Sequence, residues 1–139
     1  MGWPPSLPVA QVRIARPTDR LDEVVRFYSE GLGLRIVGRF DDHDGYSGVL
    51  LAVPDDDHHL EFTSHVTGSA CAPPTPDNLL VLYIAERAAL DAVVERLAGL
   101  GHVAVKPQNP YWVGRSVTVP DPDGWRVVLF HGPGIIAES

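Results

Sequence analysis

Residues 116–131 read SVTVPDPDGWRVVLFH, two extended apolar runs joined by a reversal. Pro120 and Pro122 restrict the backbone, Asp121 and Asp123 can bond their carboxylates back to nearby amides, and Gly124 can take the positive φ of a tight turn. The stretch predicts a β-hairpin. Its second arm, Trp125 to Phe130, is mostly β-branched, aromatic or apolar with no strict alternation, so that strand is expected to be covered on both faces. Another element must then lie on each side of it.

The rest of the composition allows such a core. At 139 residues, with 45% hydrophobic and 21% charged side chains, the chain has the size and balance of one soluble globular domain, or of two very small modules sharing a core. Eighteen acidic against 11 basic residues give a formal charge of -7, with a single lysine, Lys106, and no basic run. Nucleic-acid backbones need clustered Lys and Arg, so a nucleic-acid partner is excluded on charge. The lone Cys71 rules out an intrachain disulfide framework and points to a reducing compartment. The opening MGWPPSLP has neither the basic nor the apolar region of a signal peptide, and no 18-residue apolar run occurs, so a cytoplasmic location with no membrane partner is expected.

Taken in order, Pro8 to Ala15 predicts a strand with Gln11, Arg13 and Ala15 on one face and Val12 and Ile14 on the other. Thr18 or Asp19 is placed to cap a helix whose Leu21, Val24, Val25, Tyr28 and Leu32 recur at helical spacing, ended by Gly31 and Gly33. Strands follow at Leu34–Phe40, Tyr46–Val53 and His58–Thr63, separated by the turns DDHDG and PDDD. Ser64 to Asn78 has no periodicity and reads as a linker. The same order then begins again. Leu79–Ala85 is a strand, and Glu86–Leu97 is a helix whose Leu90, Val93, Val94 and Leu97 repeat the first stripe. Gly99 and Gly101 close it, His102–Lys106 is a short strand, Pro107–Gly114 a loop, and the hairpin completes the copy. The organisation is thus one domain over 1–139, built from βαβββ modules at 9–63 and 79–131 with a linker at 64–78. Two copies, each too small to bury its own sheet face, imply a shared core.

This doubled α+β pattern resembles the vicinal oxygen chelate superfamily, which includes glyoxalases, bleomycin-resistance proteins and extradiol dioxygenases. FYSEGLGL at 27–34, HLEF at 59–62 and DPDG at 121–124 before an apolar strand each match its repeating pattern. RIARPT, HDGY, LEFT, NPYW and DPDGWRVVL look like a branch of small bacterial proteins of unassigned activity. The resemblance implies paired βαβββ modules forming curved sheets around a pocket, closed within a chain or between subunits, and a homodimer. The linker is long enough for closure within one chain. Enzymes of the family hold a divalent metal with four ligands, and their positions fall here on Gln11, Glu61, Leu79 or Leu80, and Val128. Only Glu61 is a good ligand and two of the four are aliphatic, which implies no metal and no cofactor, and speaks against glyoxalase or ring-cleaving chemistry.

The candidate ligand-binding residues are Gln11, Arg13, Glu61, Tyr111, Trp112 and Arg126. Arg13 has the parity of Gln11, and a guanidinium beside Glu61 can bind an anionic or amide group through its fixed fork of donors; a structural ion pair is the bland alternative. His58, His59 and His65 around Glu61, with His43 in DDHDG, are the one place for an alternative metal site, against solvated turn histidines. Tyr111 and Trp112 offer rigid apolar faces with polar handles, against a loop clamp, and Asn109 is expected to initiate the turn. Arg126 alternates with Val128 and Phe130, against an exposed strand arginine. Cys71 lacks a positioned histidine and is not a nucleophile candidate.

These residues lead to metal-independent binding of a small organic molecule, of a sequestering or resistance type. One alternative is a lyase, isomerase or dioxygenase acting on a small polar substrate, with Glu61 as general base or sole retained metal ligand and Arg13 stabilising developing negative charge. Another is a scaffold or regulator that binds no ligand.

Overall fold

The computed structural model describes residues 2–135, and for residues 55 and 56 the backbone alone. Residue 1 and residues 136–139, the ends of the domain expected over 1–139, lie outside the described residues. The chain divides into two compact units, Met1–Cys71 and Ala72–Ser139.

The first unit runs β1 (Val12–Pro17), α1 (Leu21–Arg26), β2 (Ile36–His43), β3 (Tyr46–Val53) and β4 (Asp55–His65). Its sheet has the order β1-β4-β3-β2, with β1 parallel to β4 and the other pairs antiparallel. A parallel pair needs a crossover, and α1 lies in the segment between β1 and the antiparallel run that ends in β4. The helical stripe predicted from Leu21 onward is real, but α1 widens into a π-helical turn over Phe27–Gly31. Val24, Val25, Phe27 and Tyr28 are buried, as are Val49, Leu51, Leu60 and Phe62 on the sheet. Tyr28 meets Phe62 at 4.8 Å between ring centroids, so the Phe62 face is the one the helix covers.

Several boundaries differ from the sequence reading for local reasons. β1 starts at Val12 and continues through Pro17, whose missing N–H is tolerated on an edge strand, and the amide of Thr18 carries on the pairing by donating to the Thr63 carbonyl at 2.8 Å. Neither Thr18 nor Asp19 caps α1. The Thr18 hydroxyl accepts from the Arg20 amide at 2.9 Å, and the Asp19 carboxylate accepts from the Ser69 amide. The reversal in DDHDG contracts to Asp44-Gly45, because His43 pairs with Tyr46; φ is 53° and 86° at the two turn residues, the double positive geometry of a two-residue hairpin. PDDD is not a turn beyond Pro54, since Asp55 already pairs with Val53.

The second unit runs β5 (Leu79–Ile84), α2 (Arg87–Gly99), a 3-10 turn (Pro110–Trp112), β6 (Ser116–Pro120) and β7 (Arg126–His131). Its sheet order is β5-β7-β6, parallel between β5 and β7 and antiparallel between β6 and β7. Leu90 and Leu97 of the predicted stripe are buried. Val127, Val128 and Leu129 are each fully buried, so β7 is covered on both faces, as its continuous apolar run requires. The strand predicted at His102–Lys106 reduces to one bridge, Val105 to Thr118. The chain enters it from Gly101 at φ 93° and leaves at Pro107, which leaves too little extended backbone for a ladder.

The hairpin at 116–131 is held by Asp121, which is 4% exposed. Its carboxylate accepts from the amides of Asp123 at 2.9 Å and Trp125 at 3.0 Å. Its own amide donates to the Trp125 carbonyl at 2.7 Å, and Gly124, at φ 90°, donates to the Asp121 carbonyl at 2.9 Å. The two units are therefore α+β, each a curved sheet with one helix.

Candidate functional site

In the first unit the strand register decides which side chains share a face. Arg13 lies opposite His59, Ala15 opposite Glu61 and Pro17 opposite Thr63, while on the other flank Ala52, Leu50 and Gly48 lie opposite the same three β4 residues. Paired residues project to the same side, so Arg13, His59, Glu61 and Thr63 occupy the face away from α1. The parity expected for Arg13 and Glu61 is what the register gives. Ala15 flanks Glu61 and Ala52 flanks His59 with small side chains, whereas Leu50 lies on the other side of Glu61 and the Phe40 ring lies over Gly48. Gly48 is kept small by Phe40: a Cβ there would sit 2.5 Å from the Phe40 ring.

Arg13 Nη1 lies 3.8 Å from Glu61 Oε2, with Arg13 half exposed and Glu61 14% exposed. At that distance the charges attract, but no hydrogen bond is made. Donors on the guanidinium and lone pairs on the carboxylate remain open. Beside them, His59 Nδ1 is shielded from solvent and has no hydrogen-bond partner. Gln11 sits one residue before β1 and is exposed.

In the second unit Leu79, Val81 and Tyr83 lie opposite Arg126, Val128 and Phe130. Arg126 thus shares the face of Val128, and its Nη1 donates to the Lys106 carbonyl at 3.3 Å. On that face Trp112 meets Phe130 edge-on at 5.9 Å, and Phe130 meets Tyr83 at 5.2 Å. The Asn109 carboxamide oxygen accepts from the Tyr111 amide at 3.0 Å, so Asn109 does initiate the turn. The Ser116 hydroxyl donates to the Trp112 carbonyl at 2.7 Å and fastens the turn to β6. Tyr111 is more than half exposed, with Arg115 stacked on its ring at 5.0 Å.

The donor set does not fit the metal that the fold's enzymes carry. Of Leu79 and Leu80, Leu79 is the one that shares the face of Val128, and both side chains lack lone pairs. Glu61 faces a guanidinium, a charge that competes with a cation. The histidines do not compensate. His58 has the opposite parity from His59, and His65 lies further along β4, its ring against Tyr46 at 4.5 Å and its Nδ1 on the Thr67 hydroxyl at 2.6 Å. Among the described residues no three His, Cys, Asp or Glu side chains are grouped to hold a metal. The sequence signals His59 only as a candidate metal ligand; its place opposite Arg13 depends on the β1–β4 register.

Comparison with known proteins gives the lineage. Residues 12–63 match the YycE-like N-terminal domain family, and residues 77–131 match the YycE-like C-terminal domain family. The uncharacterised protein YycE of Bacillus subtilis strain 168 is 48% identical over 130 residues, covering 94% of each chain. A solved structure of a Bacillus subtilis YycE protein of unknown function, described as a candidate glyoxalase/fosfomycin resistance protein, superposes with a TM-score of 0.94 at 45% identity, over 99% of this chain and 100% of that one. The fosfomycin resistance protein FosX of Mesorhizobium loti shares the fold, with a TM-score of 0.67 at 19% identity over 86% of this chain and 89% of that one. The chain belongs to the YycE-like family and shares its fold with the fosfomycin resistance protein.

Proposed function

We propose that this chain binds a small organic molecule without a metal, in a sequestering or resistance-type role. The observation that carries the reading is the Arg13–Glu61 pair, held at 3.8 Å on the sheet face away from the helix with its hydrogen-bonding capacity unspent. A purely structural ion pair would be expected to close to hydrogen-bonding distance, because that is where most of its energy lies. On the first unit Gln11, Arg13 and Glu61 supply polar contacts. The second unit, taken by itself, offers Trp112 and Tyr111 by their rings and Arg126 by its charge as candidate contacts. The designation of the Bacillus subtilis relative as a candidate glyoxalase/fosfomycin resistance protein is in line with a small polar ligand. The protein is proposed to act as a homodimer in the cytoplasm; no helix among the described residues is long and apolar enough to cross a membrane.

The test combines mass spectrometry of small molecules that co-purify with the chain and elemental analysis of the same sample. A recovered organic compound that rebinds with unchanged affinity after chelator treatment supports the proposal. One divalent ion per chain, whose removal abolishes rebinding, sinks it. Light scattering on the eluted protein checks the dimer.

A further inference from the structure

We infer that the Arg13–Glu61 face recognises a neutral carboxamide-type head group, such as a primary amide, lactam or urea, in preference to an anion or a cation; this rests on the small-molecule binding proposed above. Arg13 and Glu61 sum to zero charge within 3.8 Å. A carboxylate placed there gains from the guanidinium and is repelled by Glu61, and an amidinium meets the reverse. Each also spends desolvation energy that only one partner returns. A carboxamide presents a carbonyl oxygen and an N–H side by side, which matches a donor next to an acceptor, and it carries no net charge to be repelled.

His59 supplies the third point. It lies opposite Arg13 in the register and two residues from Glu61, on the same face. Its Nδ1 is shielded from solvent and has no hydrogen-bond partner, a state that a bound head group would relieve. Either tautomer completes the head group, accepting from a second N–H or donating to the carbonyl oxygen. The strand neighbours Ala15 and Ala52 offer no competing polar atom. The arrangement is a three-point polar reader flanked by Ala15 on one side of Glu61 and by the apolar Leu50 on the other.

The test uses three probes of one shape and different charge: benzamide, benzoate and benzamidine. Each is titrated into the full chain and followed by amide NMR shifts along β1 and β4. Benzamide is expected to bind most tightly, by about tenfold, the affinity equivalent of one polar contact left unmet. Glu61→Gln leaves Arg13 unopposed and should turn the preference to benzoate, whereas Arg13→Gln should turn it to benzamidine. These reversals are a readout that a merely structural ion pair would not produce. Amide dispersion in each variant's spectrum verifies its fold. His59→Ala should weaken benzamide while keeping it first in order, and unchanged affinity there removes His59 from the reader. If wild type prefers benzoate or benzamidine at these residues, the head-group inference falls and small-molecule binding stands. If none of the three shifts β1 or β4, the head-group inference falls as well, while small-molecule binding is decided by the co-purification experiment.

Discussion

Replacing Asp121 with alanine should loosen the hairpin at 116–131 and lower the stability of the whole chain. The carboxylate accepts from two amides, Asp123 at 2.9 Å and Trp125 at 3.0 Å, at a residue only 4% exposed. Alanine removes the one oxygen, Oδ1, that accepts both bonds and supplies nothing in return. A buried amide left without its partner costs about 1–3 kcal/mol, and two of them bracket a loss of about 2–6 kcal/mol. The lower half of that range applies, because the turn keeps its two backbone bonds between Asp121 and Trp125 and between Gly124 and Asp121. The working value is about 3 kcal/mol, a fall in Tm of about 9 °C for a chain of this size. Asp121→Asn keeps a side-chain oxygen in the same place and loses only the charge assistance, so its fall should be about a third as large. Thermal and urea unfolding of the three proteins measures both numbers. A Tm for Asp121→Ala within about 2 °C of wild type, or equal falls for the two variants, would show that water replaces the carboxylate and would refute the argument.

Gly48→Ala should destabilise by about 1–3 kcal/mol through overpacking, since the new Cβ would lie 2.5 Å from the Phe40 ring and 3.3 Å from the Phe62 carbonyl oxygen. Urea midpoints would check this, and most of the loss should disappear in a Phe40→Ala background; simple additivity would mean that the ring is not the obstacle. Asn109→Ala removes the acceptor for the Tyr111 amide on an exposed turn. The expected cost is about 0.5–1 kcal/mol, together with a red-shifted Trp112 emission as its contact with Phe130 loosens. An unshifted spectrum, measured with Trp3 and Trp125 replaced, would show that Ser116 alone holds the turn.

What the sequence determined by itself was everything encoded over a few residues. The DPDG reversal was legible because Asp121 and Gly124 each have one local task and perform it. The two helices showed as stripes, since Val24, Val25, Leu90 and Leu97 repeat at the helical period and are all buried. Facing along β1 and β4 was legible too, because side chains alternate with period two whatever the partner strand is. Tertiary structure decided what depends on a partner far along the chain. Acidic, turn-like Asp55 to Asp57 became strand because β3 folds back beside them, whereas the strand-like run His102–Lys106 kept only its bridge at Val105. Ile14 has core parity, yet on the sheet's edge strand it is 60% exposed. At the candidate site, alternation placed Arg13 and Glu61 each on a face, but only the register brought His59 rather than His58 opposite Arg13. A slip of one residue would have exchanged them, and register is set by long-range pairing that no local stretch of sequence contains.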